Sequence, residues 1–302
     1  MIGALELGIL YGVMALGVYL TFRVLNFADL TVDGSFTTGG GTAAVLIVAG
    51  WNPFAATAMG FAVGFAAGII TGLLHTKGGI DGLLAGILTQ IGLWSINLRI
   101  MGGANLPLLR QDTVFTPLRD AKIMGTWGGV ALLATIVVVL ALIVYWFLKT
   151  DLGLAIRATG DTDPMITSFG VNTDNTKILA LALSNGLVGT AGALVAQYQG
   201  FADISMGIGL IVVGLASVIV GQAVIGQSRL LQAILAVVVG AVLYRLIIFA
   251  ALQVGLNPND MKLVSAVLVV LALLLPKFQS MGKGVGKAGK KTSISEKKAT
   301  HA

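Results

Sequence analysis

"RVLNFADLTVDG" occupies positions 23–34 and places one Arg, one Asn and two Asp residues between two long apolar stretches. The stretch before it, "MIGALELGILYGVMALGVYL" (1–20), contains one charged residue, Glu6. The stretch after it, "SFTTGGGTAAVLIVAG" (35–50), begins polar, passes through a glycine run and turns apolar. Asp29 and Asp33 stand at i and i+4, so on one continuous helix they share a face. A break is the other reading. "TVDG" reads as a helix start, with Asp33 or Ser35 as cap and the glycines permitting an interruption or a close approach. Broken helices, whose amides and carbonyls open onto a cavity, recur at transport sites. Carboxylates at such a break bind the amino group of a zwitterionic solute, cap helices, or pair with Arg23. For Asp33 the local pattern favours capping; Asp29 fits either role.

The rest of the chain sets these carboxylates in a membrane. Of 302 residues, 56% are hydrophobic and 11% charged, under half the charge of an ordinary soluble domain. Glycine is abundant at 41 residues, which suits helices packed closely in lipid and would weaken a soluble bundle. A spanning helix needs about 20 mostly apolar residues. Stretches near 3–22, 34–50, 54–75, 80–100, 126–148, 177–199, 207–225, 230–252 and 262–276 satisfy that requirement. The expected fold is an all-α polytopic membrane bundle of about nine spans, some broken, covering 1–278. A lysine-rich, disordered tail is expected over 279–302. The first stretch lacks a basic leading region and a small-residue cleavage site, so it reads as a retained span.

Charge placement orients the bundle. Seven lysines lie between Lys277 and Lys298. They account for the net charge of +6 without any nucleic-acid partner and read as a tail near anionic lipid. With that tail cytoplasmic, counting back puts the loop at 149–176 inside and the N-terminus outside. Arg23, Lys77 and Arg229 then fall inside. The loop at 101–125 falls outside despite Arg110, Arg119 and Lys122, against the trend.

The catalytic inventory is poor. The absence of cysteine excludes disulfides and thiolate chemistry, and the only histidines are His75 and His301. Gly284, Gly286 and Gly289 fit G-x-G-x-x-G, but without the flanking strand and helix that make such a loop a phosphate cradle. No nucleotide site is expected in this chain, so ATP-driven work requires a separate subunit. Polar residues inside spans are costly and so informative. Gln90 and Asn97 lie seven apart on roughly one helical face, and Asn185, Gln197, Gln222 and Arg245 fall in other spans. Singly each reads as interhelical glue; together with Asn26, Asp29 and Asp33 they outline a polar path. "FAD" occurs at 27–29 and again at 201–203, each before a glycine-rich stretch, a faint echo of an internal repeat.

The loop between the fifth and sixth expected spans contains "DTDPMITSFG" (161–170). It reads as a short helix capped by Asp161, Thr162 or Asp163, with Pro164 at its first position and Gly170 at its end. A short helix lying across a loop is a natural docking element for a partner.

"LGLAIRATGDTDPMITSFGVNTDNTKILALALSNGLVGTAGAL" (152–194) and "GLASVIVGQAVIG" (214–226) resemble the bacterial ABC importer permeases for branched-chain amino acids and ribose. "LTFRVLNFADLTVDGSF" (20–36), "GLLHTKGGIDGLLAGILT" (72–89) and "SINLRIMG" (95–102) resemble, more narrowly, the subgroup named for tryptophan or tyrosine uptake. The resemblance implies a permease homodimer, two cytoplasmic ATPase subunits that bind the ATP, and an extracytoplasmic solute-binding protein at a bacterial inner membrane. It also implies that the 161–170 helix couples to the ATPase. The matching positions are Ala158, Thr159, Gly160, Asp161, Pro164, Met165, Ser168, Phe169 and Gly170. The competing class is an ion-coupled secondary transporter using Asp29 and Asp33. An intramembrane enzyme is a third, disfavoured by the inventory above.

Overall fold

The computed structural model describes residues 1–255, 263–267 and 269–270. The lysine tail, the glycine motif at 284–289 and most of the expected span at 262–276 lie outside the described residues. The chain is a bundle of helices joined by short turns. In order these are α1 (Ile2–Tyr19), which continues as a π-helical turn (Leu20–Val24), α2 (Thr31–Val48), α3 (Pro53–Thr76), α4 (Gly82–Met101), α5 (Thr116–Asp120) and α6 (Trp127–Phe147). They are followed by α7 (Asp151–Asp161), α8 (Asp163–Ser168), α9 (Thr173–Gln199), α10 (Leu210–Ile225) and α11 (Leu230–Gln253). Two three-residue strands, β1 (Asn105–Pro107) and β2 (Phe201–Asp203), pair antiparallel.

Six of the described helices are long and apolar enough to cross a membrane: α1 with its π-turn, α3, α4, α6, α9 and α11. α10 is apolar but shorter. The expected boundaries of the six agree with the structure within a few residues. Among the described residues six helices meet the criterion, and most of the ninth expected span lies outside them. The spans anticipated at 34–50 and 207–225 are α2 and α10, and both begin at turns inside the bundle. α2 carries Thr31, Asp33, Ser35, Thr37 and Thr38, yet these side chains are buried and face protein. Its polarity therefore costs nothing in contact with lipid, and a simple hydropathy argument misjudges it.

α9 is the axis of the bundle, in contact with α1, α2 and α3. Ser35 meets Asn185, Gly39 meets Gly189 and Gly40 meets Gly192, so α2 and α9 run parallel. α3 crosses them in the opposite sense: Gly60 meets Gly189, Gly64 meets Asn185, Gly68 meets Leu181 and Gly72 meets Ile178. Four glycines at four-residue spacing form one stripe that lets backbone approach backbone, the packing expected where lipid supplies no hydrophobic drive between helices. A methyl group on Gly64 would lie 2.2 Å from the carbonyl oxygen of Asn185. On the other flank α10 packs against α1 and lies antiparallel to α11, with Gly221 against Ala236 and Gly240 against Ser217. The 102–125 loop is ordered, as its prolines and mixed charge imply. β1 fixes it to β2, Arg119 Nη2 donates to the carbonyl of Tyr198 at 3.1 Å, and Glu6 Oε1 accepts from Gly125 N at 2.9 Å.

Gly64→Ala is expected to destabilise the bundle by about 1–3 kcal/mol, the usual cost of overpacking. Gly92→Ala, where nothing lies within 4 Å of the new carbon, should be neutral or slightly stabilising. Unfolding in mixed micelles monitored by circular dichroism compares the two.

Candidate functional site

The chain break after α1 is the most polar region of the interior. The π-turn ends at Leu25, and Asn26 adopts φ +56°, a left-handed conformation that Asn tolerates better than most residues. The chain then passes through Phe27–Leu30 into α2. Asp29 is not on a helix, so it does not share a helical face with Asp33. It lies buried in the turn, where Oδ1 accepts from Thr31 N at 2.9 Å and closes the first turn of α2. Oδ2 accepts from Asn185 Nδ2 at 2.6 Å. Asn185 in turn accepts from Ser35 Oγ at 2.7 Å and donates to Leu181 O at 3.0 Å. One amide thus joins the break, α2 and α9. A chain of hydroxyls extends the network, with Thr31 Oγ1 2.7 Å from Thr71 Oγ1 and Thr71 donating to Thr89 at 3.0 Å. The sequence offered no signal for these threonines beyond their polarity within spans.

Asp33 does cap a helix, but a distant one. Its Oδ2 accepts from Gly209 N at 2.8 Å and its Oδ1 from Ile211 N at 2.9 Å. These amides open α10, which lacks a cap of its own. The two FAD segments end in the same kind of turn, although 201–203 is a strand and 27–29 is not. Thr31 N donates to Asp29 at 2.9 Å and Ser205 N to Asp203 Oδ1 at 2.8 Å, so each Asp closes the same turn with the amide two residues on. One turn follows α1 and the other follows α9, and the helices entered afterwards, α2 and α10, run in opposite directions.

Neither of the two ion pairs among the described residues involves Asp29 or Asp33. Arg23 does not pair with them; its Nη2 donates to Gln227 Oε1 at 2.6 Å. The remaining polar residues fall into separate places. Gln90 and Asn97 border a small cavity with Asp33 and Trp94, and buried Asn97 Oδ1 lacks a donor. Asn26 and Gln222 line a larger cavity at the α7 end of the bundle. Gln197 is glue. It donates to Thr57 Oγ1 at 2.8 Å and accepts from Val114 N at 3.0 Å.

The short helix in the 149–177 loop is present as α8, with Pro164 in its first turn and Gly170 beyond its end at φ +83°. No side chain caps it; Asp163 instead forms an ion pair with Lys177 of α9. α7 precedes it, set by Thr150 at its N-terminus. Gly153, Ile156 and Thr159 turn inward, and Thr159 Oγ1 lies 2.9 Å from Thr176 Oγ1. Gly160 is pressed against the chain break: a methyl group there would lie 2.0 Å from Val24 O and 2.9 Å from Leu25 C. Met165 of α8 and Phe169 just beyond its end are 55% and 72% exposed, beside exposed Thr167 and Ser168.

Two measurements follow from this geometry. Asp29→Asn and Asp33→Asn each remove one of two acceptor oxygens from a buried donor, and each should cost about 1–3 kcal/mol of stability. If the carboxylates were ion-coupling groups, the same variants would lose transport with stability intact. The second concerns α8. The Lys177 ammonium holds the Asp163 carboxyl below its ordinary range. A depressed carboxylate contributes stability above its unfolded pKa and loses it as pH falls through the folded value. Hydrogen exchange over 163–170 should therefore stay slow from pH 7 to about 5 and quicken below about 4. Asp163→Asn should show fast exchange throughout.

Residues 1–274 match the family described as branched-chain amino acid transport system / permease component. The tyrosine transport system permease protein of Clostridioides difficile is 37% identical over 272 residues, covering 90% of each chain. A probable branched-chain amino acid transport permease protein of Methanocaldococcus jannaschii is 27% identical over 65% of each chain. The ribose import permease protein of Bacillus subtilis is 25% identical over 89% of this chain and 82% of its own. No solved structure matches. A break capped from within the bundle, an external helix pair packed on that break, and a match over nearly the whole chain agree: the protein belongs to the branched-chain amino acid transport system permease family.

Proposed function

We propose that the chain is the membrane subunit of an ABC importer for an amino acid, with an aromatic amino acid the leading solute. The 37% identity to a tyrosine transport permease over 90% of both chains supports that choice of solute. The working complex is a permease homodimer with two cytoplasmic ATPase subunits and an extracytoplasmic solute-binding protein, in a bacterial inner membrane. ATP is bound by the partner subunits. α8 faces the cytoplasm and the N-terminus lies outside, with the lysine tail inside. Counting α2 and α10 with the six long helices gives eight membrane passages among the described residues.

The observation that carries the reading is the α7–α8 pair. Met165 and Phe169 point away from the bundle on a helix held by the Asp163–Lys177 pair, while Gly160 lies on the backbone of the break. We read these two large apolar side chains, exposed side by side, as the docking point for the ATPase. A docked ATPase that moves between states would displace α7 against Val24 and Leu25, next to the turn that caps α2. Differential contacts with the two ATPase states are all the switch requires. The solute would pass Gln90, Asn97 and Asp33, where an unpaired amide oxygen offers a weak contact compatible with release. The ion-coupled reading has less support, because both carboxylates are already engaged by backbone amides.

Two variants test the reading. Phe169→Asp should lower recovery of the ATPase with tagged permease at least about tenfold, the loss of a buried aromatic anchor at an interface. Gly160→Trp should abolish uptake while the permease remains in the membrane. Tight ATPase binding and normal uptake in both would overturn it.

A further inference from the structure

A cavity of about 720 Å³ opens at the end of the bundle that carries α7. Its walls come from the π-turn after α1, the break behind it, α7, and the joint between α10 and α11. Two cations line it, Arg23 and Arg157, with one carboxylate, Asp161, and two aromatic rings, Tyr19 and Phe22. Both arginines lie close enough to Tyr19 for their charges to act on its hydroxyl. Neither belongs to an ion pair among the described residues. Gln222 borders the same space, and its Nε2 is buried without an acceptor.

Arg23 Nη2 donates to Gln227 Oε1 at 2.6 Å on the same wall, and Gln222 Nε2 is the group left without an acceptor. A buried amide N–H₂ left unpaired is uncommon and calls for an explanation. Two guanidinium groups free of carboxylate partners match the bidentate geometry of a bound carboxylate. Asp161, one turn after Arg157 on α7, supplies the opposite sign, and the aromatic side chains supply an apolar face. A simple anion site would have no use for that carboxylate. The volume lies within the usual range for a small-molecule pocket.

We infer that this cavity binds a free zwitterionic aromatic amino acid from the α7 side. The α-carboxylate lies between Arg23, Arg157 and Gln222 Nε2, the ammonium faces Asp161, and the ring lies against Tyr19 and Phe22. The inference rests on the amino-acid permease reading and adds to it a site apart from the Gln90–Asn97 cavity. Bound solute spans the π-turn, α7 and α10, so it holds α7 in the arrangement observed here. Solute accumulated on that side therefore slows import, since a ligand that favours one arrangement opposes movement to the other.

The test uses the permease–ATPase complex in nanodiscs, without the solute-binding protein, and radiolabelled L-tyrosine as probe. Saturable binding is expected. Tyrosine methyl ester, which lacks the carboxylate, and 3-(4-hydroxyphenyl)propionate, which lacks the ammonium, should each compete at least about tenfold more weakly, as loss of a charge-assisted contact implies. Arg23→Gln and Arg157→Gln should each weaken binding by about the same factor, and Arg157→Lys should restore part of it. Size-exclusion profiles show whether each variant is folded. Equal binding by both Gln variants would overturn the inference. So would equal competition by the propionate, which would mark a general anion or lipid-phosphate site. Uptake into vesicles supplied with the binding protein is read separately. Tyrosine import with no saturable binding overturns the inference alone, and the absence of both for L-tyrosine, L-tryptophan and L-leucine overturns the amino-acid reading with it.

Discussion

A helix that begins inside an apolar bundle exposes its first amides where no water can pair them. Two helices of this protein begin that way, and a carboxylate meets each of them. Asp29 closes the first turn of α2, and Asp33, one turn into α2, accepts the opening amides of α10. The rest of the architecture depends on these bonds. They pair three of the backbone amides exposed where the chain breaks after α1 and after α9. They also bring both breaks to one place, because the residue that caps α10 belongs to the helix that Asp29 starts. Gly207 fits this junction because any side chain there would meet the carbonyl of Asp33 at 1.9 Å.

Asn185 and Gly160 connect the junction to the rest of the molecule. Asn185 satisfies the second oxygen of Asp29 from the middle of α9, where the glycines of α2 and α3 have brought three backbones together. Gly160 brings α7 onto the backbone of Val24 and Leu25, with no side chain between to absorb a displacement. α8 is joined to α9 through Asp163 and Lys177. Motion of the external helix pair therefore acts on packed backbone at one point and on the axis of the bundle at another. Such contiguity is the physical basis on which the proposed coupling rests.

The long apolar helices were legible because each is a run of about 20 apolar residues, the one pattern a bilayer imposes most strictly. α8 was legible from Pro164 and Gly170, whose backbone preferences mark a helix start and stop. α2 and α10 were legible as helices but not in their surroundings, because the sequence does not say whether a Thr or Asp in a helix faces lipid, protein or a cavity. The same ambiguity concealed the partner of Asp33. Capping is a local pattern when a residue closes its own helix, but Asp33 closes a helix that begins 177 positions later, by the span from 33 to 210. The FAD echo carried the clue. The first copy closes its turn on Thr31 and the second on Ser205, a likeness that becomes visible only when the hydrogen bonds are known. Arg157 and Tyr19 gave no pattern at all, since only folding brings them to one cavity.

The most direct measurement of the central claim is disulfide or maleimide cross-linking from single cysteines, in a chain that has none of its own. Cysteines at positions 165 and 169 would be placed against a tagged ATPase subunit, with position 92 on α4 as the comparison. Cross-links from 165 and 169 that change in yield between ATP-bound and nucleotide-free states, with none from 92, are the predicted result. An importing complex in which neither 165 nor 169 reaches the ATPase would contradict the account.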